Sequence, residues 1–487
     1  MSFGHESHLD LFKSNAFNTF RKLSSVFGKN SFLTHIAFLS QFLQLFGLVF
    51  NPLLEPFHTA VDPRPFLHGL LLPSYYAESS YWFLSNRTMS IIYSSLTVLL
   101  LLGVAQCIHS VIKEFPNYFM LRVTRIIHTA VVGPLFLPIT IHCLLFLTCS
   151  DVGKWNTFTS SQCYTQSTVL IRILFISMLA FVLFMKLIYI FSHFSISPYS
   201  RTKFSRPHSQ WLFKFTMLRV FLVFSMISLD HLPILFKVLY PTIALISLVT
   251  FLFSHPFFSV QTNSQVAAML GAWTALALTW VSKEISDEYY PLNLESWIIS
   301  IIFIGLMIVF GTVFYHLEHF LYSRTMFKLL DLNRPALEGS HADLDFDKLH
   351  IPELKSVDQS ELLSRFLLTL RVATPNYIAL GRKLFDSLID SFPNNVNALC
   401  LKAHFEVVYS KDALAGMVTL SAIKDLDIDV NLCWKYYIFN LYQQCDDLRR
   451  LQNTGETQDA GSCIHVQRQL ADTQANVQSC LDHLKAF

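Results

Sequence analysis

Ser296–Phe314 reads SWIISIIFIGLMIVFGTVF. The stretch has no charged residue and is close to the length that crosses hydrocarbon. A helix needs about 20 mostly apolar residues to do so, because lipid offers the backbone no hydrogen-bond partner. Two stretches of the same kind are SIIYSSLTVLLLLGVAQCI (90–108) and ILFISMLAFVLFMKLIYIF (173–191). Working outward, eight stretches qualify or nearly qualify as spans: roughly 32–52, 88–111, 126–148, 171–191, 213–230, 232–253, 263–282 and 296–318. The weakest are the first, which carries Gln41 and Gln44, and the fifth, which ends at Asp230. The first 31 residues are polar and basic with no short apolar core, so no cleavable signal peptide is expected.

The rest of the chain has a different composition. Of 487 residues only 14% are charged, against about 25% in soluble domains. Residues 331–487 hold 36 of the 70 charges, so the deficit belongs almost wholly to the front of the chain. The front has 21 basic against 13 acidic residues, net +8; the rear has 15 against 21, net −6. The expected architecture is therefore all-α, with a cytoplasmic arm (1–31), a polytopic membrane body of about eight spans (32–318), a linker (319–357) and a cytoplasmic helical domain (358–487). The whole-chain charge of +2 gives no reason to expect a nucleic-acid partner.

Lys and Arg set the expected orientation. The N-terminal arm, the second and fourth loops and the segment after the last span carry 14 of them, and the opposite side carries five. Both termini are then cytoplasmic. Which membrane is crossed, plasma membrane or endomembrane, the sequence leaves open.

Ionisable residues within a membrane are where function is sought first. Lys186, Arg172 and Arg219 lie near span ends, from where long side chains can snorkel to the interface. Asp230, His231 and Lys237 flank a very short outer turn. They pair with one another or form a polar ligand site at the outer mouth. Pro134 and Pro138 in GPLFLP remove two backbone donors from the third span, so a kink is expected there, either as packing or as a hinge. Cys149 and Cys163 fall in the third outer loop and can form a disulfide in an oxidising exterior. His316 and His319 supply only two ligands, too few for a zinc site. No P-loop, G-x-G-x-x-G, H-E-x-x-H, G-x-S-x-G or C-x-x-C occurs, so no catalytic residue, metal or cofactor is expected.

The rear third reads as helices. Asp358-Gln359-Ser360-Glu361 has the form of a capping box before LLSRFLLTLR. Thr374-Pro375 has the form of a cap and first helical position. The next helix places Ile378, Leu384, Phe385, Leu388 and Phe392 on one side. Pro393-Asn394-Asn395 breaks it, and a return helix carries Ala398, Leu399, Ala403 and Phe405. That alternation follows the logic of tetratricopeptide-like repeats, or else of a small irregular helical domain. At the end, Val466, Leu470, Thr473, Val477, Cys480, Leu484 and Phe487 fall at heptad a/d spacing. They form either a dimer seam or the buried face of a repeat helix.

The segments SELLSRFLLTLR, ALGRKLFDSLIDSFPNNVNALCLKAHFEVVYSKDALA and CWKYYIFNLYQQCDDL resemble the start of the helical region in protist TmcB/TmcC-type multi-pass membrane proteins. The resemblance covers roughly the last 130 residues. It implies a polytopic body before tetratricopeptide-like helices and a part in signalling. Some members of that group continue into PAS or nucleotide cyclase domains. Neither occurs in this chain, so the resemblance brings no catalytic residue with it. The functional expectation is an integral membrane sensor or scaffold. It would couple the bilayer to a cytoplasmic protein partner, or to a sister chain as a homo-oligomer, through protein–protein interaction at the C-terminal helices. The alternative is a small-solute transporter or channel.

Overall fold

The computed structural model describes residues 39–40, 42, 44–46, 95, 98, 136–145, 154–155, 158–162, 166–192, 210–228, 233–289, 296–337, 349–369, 375–426 and 432–453. Within them the fold is helical apart from one short ribbon. The chain divides into two compact units, Met1–Lys328 and Leu329–Phe487. The helices of the first unit are α1 (Phe136–Leu145), α2 (Gln166–Ser192), α3 (Gln210–Ser228), α4 (Pro233–Ser254) and α5 (Val260–Tyr289), followed by the start of α6 (Ser296–Leu337). Three described segments are long and apolar enough to cross a membrane: Leu235–Ser254 in α4, Val260–Ser282 in α5 and Ile301–Arg334 in α6. They overlap the sixth, seventh and eighth expected spans, the last of them running on well beyond residue 318. The first two expected spans and the C-terminal heptad segment lie almost wholly or wholly outside the described residues.

Two features add detail to the expected helical architecture. Lys154–Trp155 (β1) pairs antiparallel with Phe158–Gln162 (β2), so a short ribbon lies between the third and fourth expected spans of a chain that is otherwise helical among the described residues. Aromatic and β-branched residues such as Trp155, Phe158 and Thr159 favour that pleated pairing. The first half of the expected linker is also helix, since α6 runs on to Leu337. The reason is a single stripe. Gly311, Glu318, Tyr322, Met326, Leu329, Asn333 and Leu337 recur every three, four or seven residues and are all buried. That spacing puts them on one helical face, so packing holds the helix together beyond its apolar run.

In the first unit α4 packs on α5 and α3, and α1 packs on α2 and α3. The core is aromatic. Tyr240 and Trp280 meet edge to face at 5.8 Å, and Trp211 stacks on Phe215 at 4.9 Å. One polar chain runs through this core: Trp273 Nε1 donates to Tyr240 Oη at 2.7 Å, and Tyr240 Oη–H donates to the Leu45 carbonyl at 2.8 Å. Hydroxyls along the helices turn inward on their own backbone. Thr140, Thr216, Ser247 and Thr274 each donate to the carbonyl four residues back, which satisfies them without water. Gly271 allows α5 and α6 to approach, because a Cβ there would stand 2.6 Å from Phe314 Cδ2. Gly311 on α6 approaches α5 likewise, since a Cβ there would stand 3.3 Å from the Ala268 carbonyl oxygen.

The second unit contains the end of α6, then α7 (Val357–Ser364), α8 (Phe366–Thr369), α9 (Pro375–Ser391) and α10 (Val396–His404), with a π-helical turn at Phe405–Tyr409, and finally α11 (Ala413–Asp425) and α12 (Leu432–Asn453). The capping box is shifted from its expected place. Ser356 is the N-cap of α7 and accepts from Gln359 N, while Gln359 Oε1 accepts from Lys355 N. Glu361 was expected to close the box, but its carboxylate is committed to Arg365 (Nη2 to Oε2, 2.7 Å). Asn395 and Asp412 cap α10 and α11 in the same way. From α9 onward each helix packs on the next. Leu384, Phe385 and Leu388 are buried as expected, and so are Ala398, Leu399, Ala403 and Phe405. Gly381 permits α9 to approach the π-helical turn after α10, since a Cβ there would meet Phe405 Cε2 at 2.5 Å.

Candidate functional site

The outer-mouth residues named from sequence are largely outside the described set: Asp230, His231, Cys149, Cys163 and Pro134 all lie beyond it. Lys237 sits half-buried in the second turn of α4. Pro138 lies within α1. No group of three or more metal-ligating side chains occurs among the described residues.

The structure instead draws polar groups together at the turn from α4 to α5. The helix ends at Ser254 because Pro256 follows, and the residue before a proline is biased away from helix. His255 takes φ = 39°, left-handed backbone that costs a non-glycine residue on the order of 1 kcal/mol or more. Its N–H still bonds to the Phe251 carbonyl at 3.1 Å. Its imidazole reaches α6, with Nδ1 2.6 Å from Glu318 Oε1. The Glu318 side chain is completely buried. Tyr322, one turn further along α6, donates from Oη to the Phe258 carbonyl at 2.8 Å and meets the His255 ring edge to face at 5.8 Å. Asn263 fixes the turn from the other side. Its Nδ2 donates to the Phe257 carbonyl (2.8 Å) and its Oδ1 accepts from the Phe257 N–H (3.1 Å).

Glu318 Oε2 is buried with no hydrogen-bond partner among the described residues. A buried carboxylate oxygen without a donor carries a desolvation cost on the order of kilocalories, and the close imidazole contact at the other oxygen offsets part of the cost of burying the group. The group is thus a buried His–Glu contact between two elements, held by a strained turn. One signal of it is present in the sequence. Glu318 is the only acid on the buried face of α6, a face visible as the apolar 3–4 spacing that continues past the end of the expected span.

A second buried polar group lies among α1, α2 and α3. Lys186 and Arg219 were expected to snorkel, yet both are 1% exposed. Lys186 Nζ stands 4.9 Å and Arg219 Cζ 5.6 Å from the centre of the Phe136 ring, and Arg219 also lies over Phe215 at 5.3 Å. The aromatic faces attract the two cations inside the body, each contact being worth ~0.5–2 kcal/mol.

In the second unit the polar interior is closed by side chains. Arg365 clasps Glu361 within one helix turn. His404 Nδ1 shares a 2.6 Å hydrogen bond with Tyr437 Oη. Burial, with the Lys411 ammonium as the smaller cause, pulls His404 down to about 3. Burial also lowers Lys411 and raises Cys400, and it lifts Tyr437 well above its usual range. His404, Cys400 and Tyr437 are thus held neutral in a packed interior rather than poised for chemistry.

Comparison with known proteins adds no relative: no protein-family model, no curated protein and no solved structure matches this chain.

Proposed function

We propose that this chain is a multi-pass integral membrane protein, with both termini cytoplasmic, that acts as a sensor or scaffold. One observation carries the proposal: α6 is a single 42-residue helix whose residues up to Lys328, most of its apolar segment, belong to the first unit and whose last turns, from Leu329, belong to the second. A continuous helix is the simplest mechanical link between a bilayer-embedded element and a water-exposed one. The second unit supports the scaffold half of the reading. Leu414 and Val418, one turn apart on α11, are 77% and 62% exposed, which suits contact with a cytoplasmic protein or a sister chain. The tail's resemblance to TmcB/TmcC-type helical regions favours the same role, with stacked repeat-like helices as the docking surface.

Epitope tags at the two termini test the topology. Both are expected to become accessible only when the cytoplasmic side is permeabilised, and a tail reached from outside intact cells overturns the arrangement. For the scaffold role, full-length protein is captured from solubilised membranes, wild type against L414S/V418S. The expected result is one defined partner or sister chain lost by at least several-fold at equal protein level. Identical capture from both removes the support.

The buried charges favour a second reading, a small-solute transporter or channel. Lys186 and Arg219 inside the body and the Glu318–His255 pair are groups of the kind that line substrate paths. Solute flux into vesicles carrying the purified full chain, abolished in Arg219→Gln, would establish that reading over the scaffold.

A further inference from the structure

The apolar segment Ile301–Arg334 is 34 residues long. At 1.5 Å per residue it spans about 51 Å, against about 30 Å of hydrocarbon. Part of it therefore lies at or beyond the headgroups. The α4–α5 turn marks the level: the two neighbouring candidate spans end there, and the turn is bonded to α6 at Glu318 and Tyr322. Phe320 onward consequently stands at the depth of the lipid headgroups. On the face opposite the buried stripe, Val309, Val313 and Leu317 are exposed, at acyl-chain depth. The same face then changes character. Phe320 (57% exposed) and Phe327 (39%) alternate with exposed Arg324 and Lys328, and the Arg324 guanidinium lies 5.9 Å over the Phe320 ring. The next acid, Asp331, is held by Arg334 at 3.2 Å, so the surface stays positive.

We propose that Phe320, Arg324, Phe327 and Lys328 form a docking face for anionic phospholipid headgroups, with the rings in the interfacial layer and the two cations on the phosphates. Aromatic side chains settle at that layer, and basic side chains beside a membrane are attracted to anionic lipid. The proposal rests on the membrane-crossing reading of α6.

The full chain, purified in detergent, is reconstituted into phosphatidylcholine vesicles doped with spin-labelled phosphatidylserine or spin-labelled phosphatidylcholine. The immobilised fraction of each label is read by electron paramagnetic resonance. Phosphatidylserine is expected to associate about fivefold more strongly, one basic residue's worth of surface attraction. R324Q/K328Q is expected to lose the preference, the charge-conserving R324K/K328R to keep it, and about 0.5 M salt to suppress it. Equal association of both labels with the wild type, or a preference that survives in R324Q/K328Q, overturns the headgroup site alone. A chain stripped from native membranes by alkaline carbonate overturns the membrane-crossing reading, and this proposal with it.

Discussion

α6 and α9 follow opposite rules. On α6, Ile301, Ile304, Ile308 and Val313 are each more than half exposed, while the carboxylate of Glu318 is inside. On α9, Leu380, Leu384, Phe385 and Leu388 are inside, while Arg382, Asp386 and Asp390 face out. The two helices belong to one chain, so the difference lies in the solvent each was selected against. An aliphatic row left bare costs free energy in water and nothing in hydrocarbon. A helix that turns its greasy side outward and closes its charge inward has the distribution expected of a bilayer neighbour.

The contrast can be broken most forcefully in the tail. Phe405 is fully buried, lies 5.0 Å from Phe385 and fills the space that Gly381 leaves open. Phe405→Ala is expected to cost about 3–5 kcal/mol, through lost burial and the cavity left behind. Hydrogen exchange of the full chain in detergent should show α9 and α10 losing protection while α4–α6 keep theirs. Loss in both regions would mean that they do not melt as separate units.

The reciprocal test is Ile308→Lys on the bare face of α6, 63% exposed. At a surface facing water such a change falls within about 0.5 kcal/mol. Near the middle of a lipid-facing helix it costs about 2.5–3.5 kcal/mol. Membrane integration of the variant, scored by carbonate resistance, should fall steeply. Wild-type integration would place Ile308 against protein or water instead.

How far the sequence reveals this arrangement depends on which solvent each residue meets. Helix positions in the body are legible, because long apolar runs have one explanation and α4, α5 and α6 lie where hydropathy places them. In the tail the faces of α9 and α10 are legible, because water enforces an apolar 3–4 spacing that Leu384, Phe385 and Leu388 obey. The His255–Glu318 pair is not. The two residues are 63 positions apart, and no local pattern reports a contact made by a turn on a distant helix. Lys186 and Arg219 mislead for a related reason. Proximity to a span end allows snorkelling, but only the tertiary structure reveals the Phe136 ring that retains them. The start of α7 shifts by two residues from its expected place, because Ser and Asp both cap helices and the choice falls to the buried Glu361–Arg365 clasp.

The smallest effect distinguishes the units by pH. His404 is held neutral, at about 3 in the folded tail against 6.5 when free. The unfolded chain therefore binds a proton that the folded one rejects throughout that interval. The stabilisation is complete above about 6.5 and drains away as pH falls toward 3, at up to ~1.4 kcal/mol per pH unit. Between pH 7 and pH 5 the tail helices should lose exchange protection, and His404→Phe should flatten that slope by about one proton. Other titrating groups add to the absolute slope in both proteins, so the difference between them is the quantity that counts. An unchanged slope in His404→Phe would mean that the imidazole reaches water when the pH drops, and that the Tyr437 contact does not seal it in.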